Sequence, residues 1–300
     1  MYRFIALMYV VACITLAPTA TAQLDVDKIE IESIALADNV FMLTGSGGNI
    51  GVLVGEEGIV MIDDQYAPLS TKIMQALGKL SAAPVRFLIN THWHFDHTGG
   101  NENFGKAGAI IVAHDNVRRR MSRDEFMETI KRDVPASPPI ALPAVTFAHR
   151  ATFHFGGETL TAHHTPFAHT DGDLFVHFAN ANVIHAGDVF WNRFYPLIDT
   201  GSDGGIDGMI AGAKKILALA NEQTKIIPGH GKLASRADLE AYIEMLETTR
   251  SRINDLIGQY KRKSEVLAAR PLADFDDTWG NGFMDPERFL SIVYDDLATK

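Results

Sequence analysis

The chain has 300 residues, 46% of them hydrophobic, with 27 basic against 37 acidic side chains and a formal net charge of −10. That acidity repels phosphate backbones, so the expected partner is a small-molecule substrate and no nucleic acid. One cysteine excludes an internal disulfide, and a chain this long can bury a large core without one, as one large domain or two small ones.

The chain opens on Met1-Tyr2-Arg3, then an uncharged apolar stretch from Phe4 to Leu16, then Ala20-Thr21-Ala22 before Gln23. This order predicts a signal peptide over residues 1–22 with cleavage after Ala22, and a periplasmic or secreted product. Two readings compete. A membrane anchor needs about 20 apolar residues, more than this run supplies; lipid attachment at Cys13 would leave only a very short apolar run before it. Cleavage removes Arg3 and no acid, making the exported chain one charge more negative, and removes Cys13, the only source of a thiolate ligand. No later apolar run reaches spanning length, so no stable membrane insertion is expected afterwards.

From Ile31 onward, short apolar runs alternate with turn residues. Val40–Leu43, Ile50–Val54 and Ile59–Ile62 read as strands, with Gly55-Glu56-Glu57-Gly58 as a hairpin loop. Ser70 opens a predicted helix to about Leu80, with Ile73, Met74, Leu77 and Leu80 on its apolar face. Strands Val85–Ile89 and Ala109–Ala113 follow, then a charged helical stretch from Asp115 to Arg132. Pro135, Pro138, Pro139 and Pro143 interrupt all periodicity, as a loop near the site or a connector between halves. The second half repeats the grammar: strands across residues 145–190, a helix from Ile206 to Ala220, a strand Lys225–Ile227 and a long helix from Ser235 to Tyr260. Two sheets face to face with helices outside fit this order. Residues 23–262 form the expected domain. Residues 263–300 form a C-terminal extension packed on it, helical from Pro286 to Leu297.

The chemistry concentrates in Thr91-His92-Trp93-His94-Phe95-Asp96-His97. In an extended loop alternate side chains share a face, which would put His92, His94 and Asp96 together and aim His97 elsewhere, so one segment could serve two adjacent ions. Zinc accepts imidazole and carboxylate and keeps an open position in catalytic sites, so further ligands must come from distant segments. His169, Asp188 in Gly187-Asp188 and His230 in Pro228-Gly229-His230 each follow an apolar or turn-bounded segment and are the candidates. His163 and His164, like His114, His149, His154, His177 and His185, read as packing or surface residues. Trp93, Phe95, Trp191, Phe194 and Tyr195 fit a pocket lining and an ordinary core equally well.

His-x-His-x-Asp-His after an apolar strand, followed by a histidine, a Gly-Asp and a Pro-Gly-His, resembles the metallo-β-lactamase superfamily in order and spacing, from about Ile31 to Tyr260. The resemblance implies a four-layer αβ/βα sandwich of the α/β class with metals at one edge. It further implies that His92, His94 and His169 hold one zinc ion and Asp96, His97 and His230 a second, with Asp188 bridging both. Asp63, after Val60-Met61-Ile62, resembles the family's early structural aspartate, which supports a ligand rather than binding metal. Iron and manganese accept the same donors.

The expected reaction is hydrolysis of an ester, lactone, thioester or β-lactam carbonyl by a hydroxide at the binuclear zinc centre, whose pKa lies near ~7. Asp96 is the catalytic candidate for handling the leaving-group proton. Gly187-Asp188 resembles the bridging aspartate of glyoxalase II and lactonases, yet Trp191 stands where lactonases commonly carry tyrosine. A true zinc β-lactamase and a metal-binding protein without catalysis are the alternatives. A flavodiiron protein would carry Glu at His94 and need a flavin domain, and a nuclease conflicts with the acidity. The leader predicts that the protein recovered from its own host starts at Gln23; N-terminal sequencing that finds Met1, or a lipidated Cys13, would overturn it.

Overall fold

The computed structural model describes residues 25–299, so the leader expected over Met1–Ala22, including Cys13, lies outside the described residues. The first half supplies strands β1 (Glu32–Ala35), β2 (Val40–Thr44), β3 (Ile50–Gly55), β4 (Gly58–Ile62), β5 (Val85–Ile89) and β6 (Ile110–His114). Its helices are α1 (Ser70–Leu80), α2 (Phe95–Thr98), α3 (Asn101–Lys106) and α4 (Asp115–Met121). A small hairpin of β7 (Glu125–Met127) and β8 (Arg132–Val134) precedes β9 (Val145–Phe147). The second half contributes β10 (Arg150–Phe155), β11 (Glu158–His164), β12 (Leu174–Phe178), β13 (Val183–His185) and β14 (Lys225–Ile227). With them come α5 (Ile206–Leu219), α6 (Arg236–Gly258), α7 (Lys263–Ala269), α8 (Asp276–Trp279) and α9 (Pro286–Ala298).

The seven-stranded sheet has the order β1-β2-β3-β4-β5-β6-β9, antiparallel from β1 to β4 and parallel from β4 to β9. The second sheet runs β10-β11-β12-β13-β14, with only β13 and β14 parallel. Period-two alternation in the strands decides the layers. Val40, Met42, Val60 and Ile62 turn inward against Leu160, Val176 and Phe178 between the sheets. Leu43, Val52 and Met61 turn outward, where Ile73, Leu77 and Phe104 cover them. On the far side Phe175 and Ile184 pack with Ile210, Tyr242, Leu246 and Phe289 from α5, α6 and α9. Three apolar interfaces therefore separate four layers, the αβ/βα sandwich, and each fully buried large side chain contributes roughly 1.5–3 kcal/mol.

Most elements fall where periodicity puts them, with Ser235 capping α6 through a reciprocal capping box with Asp238. Met74 departs from the predicted face of α1: it is exposed, and Ala76 takes its place inside. The larger correction lies between Asp115 and Arg132. Helix α4 stops at Met121, and the chain turns back as the β7–β8 hairpin, with Lys131 at φ 53° in the tight turn. The hairpin buries Met127 against Trp93 and leaves Phe126 outside. This tertiary contact overrides the helical bias of the charged sequence. Among the described residues no helix is long and apolar enough to cross a membrane.

At one edge the two sheets are joined by stacked imidazoles. His114 ends β6 and His164 ends β11, and their rings lie 3.7 Å apart at an interplanar angle of 12°. His114 donates through Nε2 to Ala148 O (2.9 Å) and accepts the Asn116 N–H at Nδ1, capping α4. His164 donates to Asp171 O at 3.0 Å. Burial holds both pKa values below the usual 6.5, against the raising effect of those carbonyls. The neutral pair therefore stabilises the fold fully above about pH 6.5, and that contribution is lost as pH falls towards the depressed native pKa values, because the unfolded chain takes up protons first. Thermal melting should accordingly weaken between pH 7 and pH 5. His114→Asn, which keeps a cap acceptor, should flatten that decline; parallel pH profiles for the two proteins would exclude the stack as a contributor.

Candidate metal centre

The site lies where the carboxyl ends of β4, β5 and β13 and the loops after β11 and β14 meet. Strand β4 delivers Asp63 and β5 leads into Asn90–His94; β13 leads to Asp188, and β14 to His230. Main-chain bonds hold the last two loops together: Gly229 N donates to Gly187 O at 2.8 Å and Asn192 N to His230 O at 2.9 Å. His169 sits in the β11–β12 loop, where Thr170 N and Oγ1 donate to the Asp173 carboxylate at 2.8 and 2.6 Å. Arg120 clamps the same loop with two bonds to Asp171, at 2.8 and 3.0 Å.

All seven side chains singled out in the sequence converge here. Potential ligand atoms of His92, His94 and His169 form one close set, those of Asp96, His97 and His230 another, and His92, His97 and Asp188 a third between them. The extended-loop expectation fails at Phe95. Helix α2 begins there, so Asp96 turns away from the face of His92 and His94 and joins His97 and His230 instead. His163 lies outside the cluster, stacked on Phe175 with centroids 4.8 Å apart.

Outer partners fix the ring orientations. His94 donates through Nε2 to Asp199 Oδ2 (3.0 Å), which leaves its Nδ1 facing His169 Nε2 at 2.8 Å. His169 in turn donates through Nδ1 to Leu197 O at 2.7 Å. His97 donates through Nδ1 to Asp63 Oδ2 (2.7 Å), leaving Nε2 3.3 Å from His230 Nε2. His92 Nδ1 lies 3.1 Å from Thr91 Oγ1, whose proton goes to Asp63 Oδ2 at 2.7 Å. These four rings therefore turn a lone pair to the centre. Asp63 is the supporting group its place after β4 suggests. Asp199 has no such signal: it stands in an irregular loop, and only the fold brings it to His94.

Two buried atoms at the centre, His92 Nε2 and Asp188 Oδ1, have no hydrogen-bond partner. Ring nitrogens face one another at 2.8 and 3.3 Å, and Asp188 lies within 3.1 to 3.4 Å of His97, His169 and His230. Orphaned acceptors and mutually facing nitrogens fit divalent cations, which imidazole and carboxylate donors suit. Burial keeps the His169 pKa down at about 4, and that of His92 well below 6.5, so both are neutral and ready to ligate. Burial alone would also depress His97, but Asp188, Asp96 and Asp63 outweigh it and draw a proton there, so a cation competes with that proton. Asp199 stays ionised despite burial, its pKa brought to about 2 chiefly by the bond from His94. Glycine makes two of the close approaches possible: a Cβ on Gly48 would lie 2.1 Å from the His97 ring, and one on Gly229 2.0 Å from Asp188 Oδ1.

A cavity of about 560 Å³ opens over the centre, reaching His94, Asp96, Asp188 and His230. Phe95 and Trp191 line it, the latter tilted against His230 at 44° with centroids 4.2 Å apart. Trp93 and Tyr195 belong to the core instead, and Phe194 packs at its margin. Burial pushes the Tyr66 phenol in the same wall up to about 12, so it stays protonated at neutral pH.

The sequence pattern of the metallo-beta-lactamase superfamily matches residues 43–230. The human acyl-coenzyme A thioesterase MBLAC2 is 24% identical over 228 residues, covering 65% of this chain and 79% of that protein. The 2,4-dinitroanisole O-demethylase subunit alpha of Nocardioides sp. (strain JS1661) is 24% identical over 201 residues, covering 65% of this chain and 56% of its own. Among solved structures, the metallo-beta-lactamase from Pontibacter korlensis is similar with a TM-score of 0.60 at 20% identity, over 73% of this chain and 99% of that one. The sec-alkylsulfatase Pisa1 from Pseudomonas sp. has a TM-score of 0.67 at 14% identity, over 88% and 50%. The structural likenesses speak for the fold; the family pattern runs through all seven converging side chains, and the chain belongs to the metallo-beta-lactamase superfamily.

Proposed function

We propose that this hydrolase uses two divalent metal ions, zinc in the first instance, to cleave an ester or thioester carbonyl of a small molecule, after export to the periplasm or medium. The observation that carries the reading is Asp188. Its Oδ1 lies 3.1 Å from His97 Nε2, and its Oδ2 lies 3.4 Å from His169 and 3.3 Å from His230, so one carboxylate touches both ligand sets. His92, His94 and His169 would hold one ion, Asp96, His97 and His230 the other, with Asp188 shared. Ions bound there supply Lewis acidity and a hydroxide nucleophile at neutral pH.

The protein's own residues do the rest. Asp63, Thr91, Asp199 and the Leu197 carbonyl keep the ligands' lone pairs inward, which sets the site before substrate arrives. Trp191, Phe95 and Leu197 give the cavity apolar walls that exclude water and orient the acyl group. Asp96, about one-fifth exposed at the cavity floor and 3.4 Å from His230 Nε2, is placed to pass a proton to the leaving group. The thioesterase relative supports a thioester, and a β-lactam carbonyl is open to the same chemistry, so both belong in the substrate panel.

Zinc-reconstituted protein should contain close to two ions per chain by elemental analysis, and one or none would sink the binuclear reading. Asp188→Asn should weaken the second ion's binding and lower kcat/KM by about a hundredfold or more with unchanged circular dichroism. A variant retaining two ions and full turnover would make Asp188 a structural turn residue. His94→Ala should lose most turnover while His163→Ala keeps its metal content. Asp199→Asn should weaken metal binding by about 10–100-fold, since it leaves His94 without its ionised partner. No turnover of any ester, lactone, thioester or β-lactam by metal-loaded protein would favour metal binding without catalysis.

A further inference from the structure

Two guanidinium groups line the outer part of the cavity and, among the described residues, form no ion pair with a carboxylate. Arg132 comes from β8, and its Cζ lies 4.1 Å from the centroid of Phe95, inside the ligand segment itself. Arg288 comes from α9, where its Cζ lies 5.2 Å from the Phe283 ring and its Nη2 donates to Thr129 O in the hairpin turn. Their contacts are with aromatic rings and a carbonyl, although acids outnumber bases in the chain. Around them Met127, Ile130 and the exposed Phe283 form an apolar lip.

Positive charges on aromatic supports, set in an apolar rim above a carbonyl-cleaving centre, have a definite complement. We infer that the substrate is an amphiphilic anion: an apolar body fills the cavity, and a carboxylate or sulfate group away from the scissile bond is bound by Arg132 and Arg288. The bond to Thr129 ties Arg288 to the hairpin that carries Arg132, and both arginines line the same cavity. This inference deepens the hydrolase reading and rests on it for the scissile carbonyl, but its binding step can be measured without turnover.

The test is calorimetry on the zinc-loaded full chain with 4-phenylbutyrate, 4-phenylbutyl sulfate and the neutral 4-phenylbutyramide. At least one anion should bind more tightly than the amide. That preference should fall about tenfold in Arg132→Gln and in Arg288→Gln, with metal content and melting temperature unchanged, and Arg132→Lys should restore part of it. The anion whose preference depends more on the arginines identifies the head group. In parallel, wild-type protein should prefer mono-4-nitrophenyl glutarate over 4-nitrophenyl butyrate in kcat/KM, and the variants should lose that preference. Anions binding no more tightly than the amide, or a preference unchanged in both variants because the metals alone supply it, would overturn the inference. Failure to cleave either ester while anion binding still depends on the arginines would count against the hydrolase reading and leave the anion site standing.

Discussion

Three donors converge on one buried carboxylate, that of Asp63, and the arrangement of the site depends on it. Thr91 N, Thr91 Oγ1 and His97 Nδ1 each lie 2.7 Å from its oxygens. Through the Thr91 hydroxyl the same group also reaches His92. One residue at the end of β4 thereby ties the segment after β5 to the sheet and turns the rings of His92 and His97 towards the centre. Asp63 does this from the left-handed region, φ 62°, which an aspartate enters at less cost than a bulkier side chain. Without that charge, a buried amide, hydroxyl and imidazole would lose their shared acceptor, which is costly for each.

The remaining ligands are organised by the same logic from the other sheet. His169 is held by the Leu197 carbonyl and His94 by Asp199, itself bonded to Ser202 Oγ at 2.6 Å. Asp199 N also donates to His169 O at 2.9 Å, so the stretch from Leu197 to Asp199 grips two of the three histidines of one set. Asp188 lies in the turn after β13, packed so closely on Gly229 that a Cβ there would clash with its carboxylate, and the Gly229 N–H bonds the Gly187 carbonyl of the same turn. These supports hold the ligand rings in place from outside the cluster, so their orientation does not depend on an ion at the centre.

The walls above the centre come from parts of the chain outside the two sheets. The β7–β8 hairpin brings Met127, Ile130 and Arg132, and the C-terminal segment brings Phe283 and Arg288. The segment is no loose appendage: Phe289 of α9 stacks on Tyr195 with centroids 4.5 Å apart, in the apolar layer under α5 and α6. Chemistry thus resides in the sandwich, and shape and charge at the entrance come from elements added to it.

The sequence by itself determined the layers and the converging residues. Period-two runs such as Val40–Leu43 and Leu174–Phe178 can bury both faces only between two apolar layers, and the spacing of His92, His94, Asp96 and His97 after a buried strand leaves few uses but metal. What it could not determine was the direction of each side chain once regular structure broke down. The start of α2 at Phe95 turned Asp96 off the face that an extended loop would give it, into the set with His97 and His230 that the family resemblance implies, and packing of Met127 into the cluster around Trp93 turned a helical-looking segment into a hairpin. Asp199, Arg132 and Arg288 carry no local pattern, since each acts on groups distant in sequence: His94 is 105 residues from Asp199, and Thr129 is 159 from Arg288. Local propensity and periodicity record the forces between neighbours along the chain, whereas these contacts exist only after packing has closed loops of that length, so only the tertiary structure decided them.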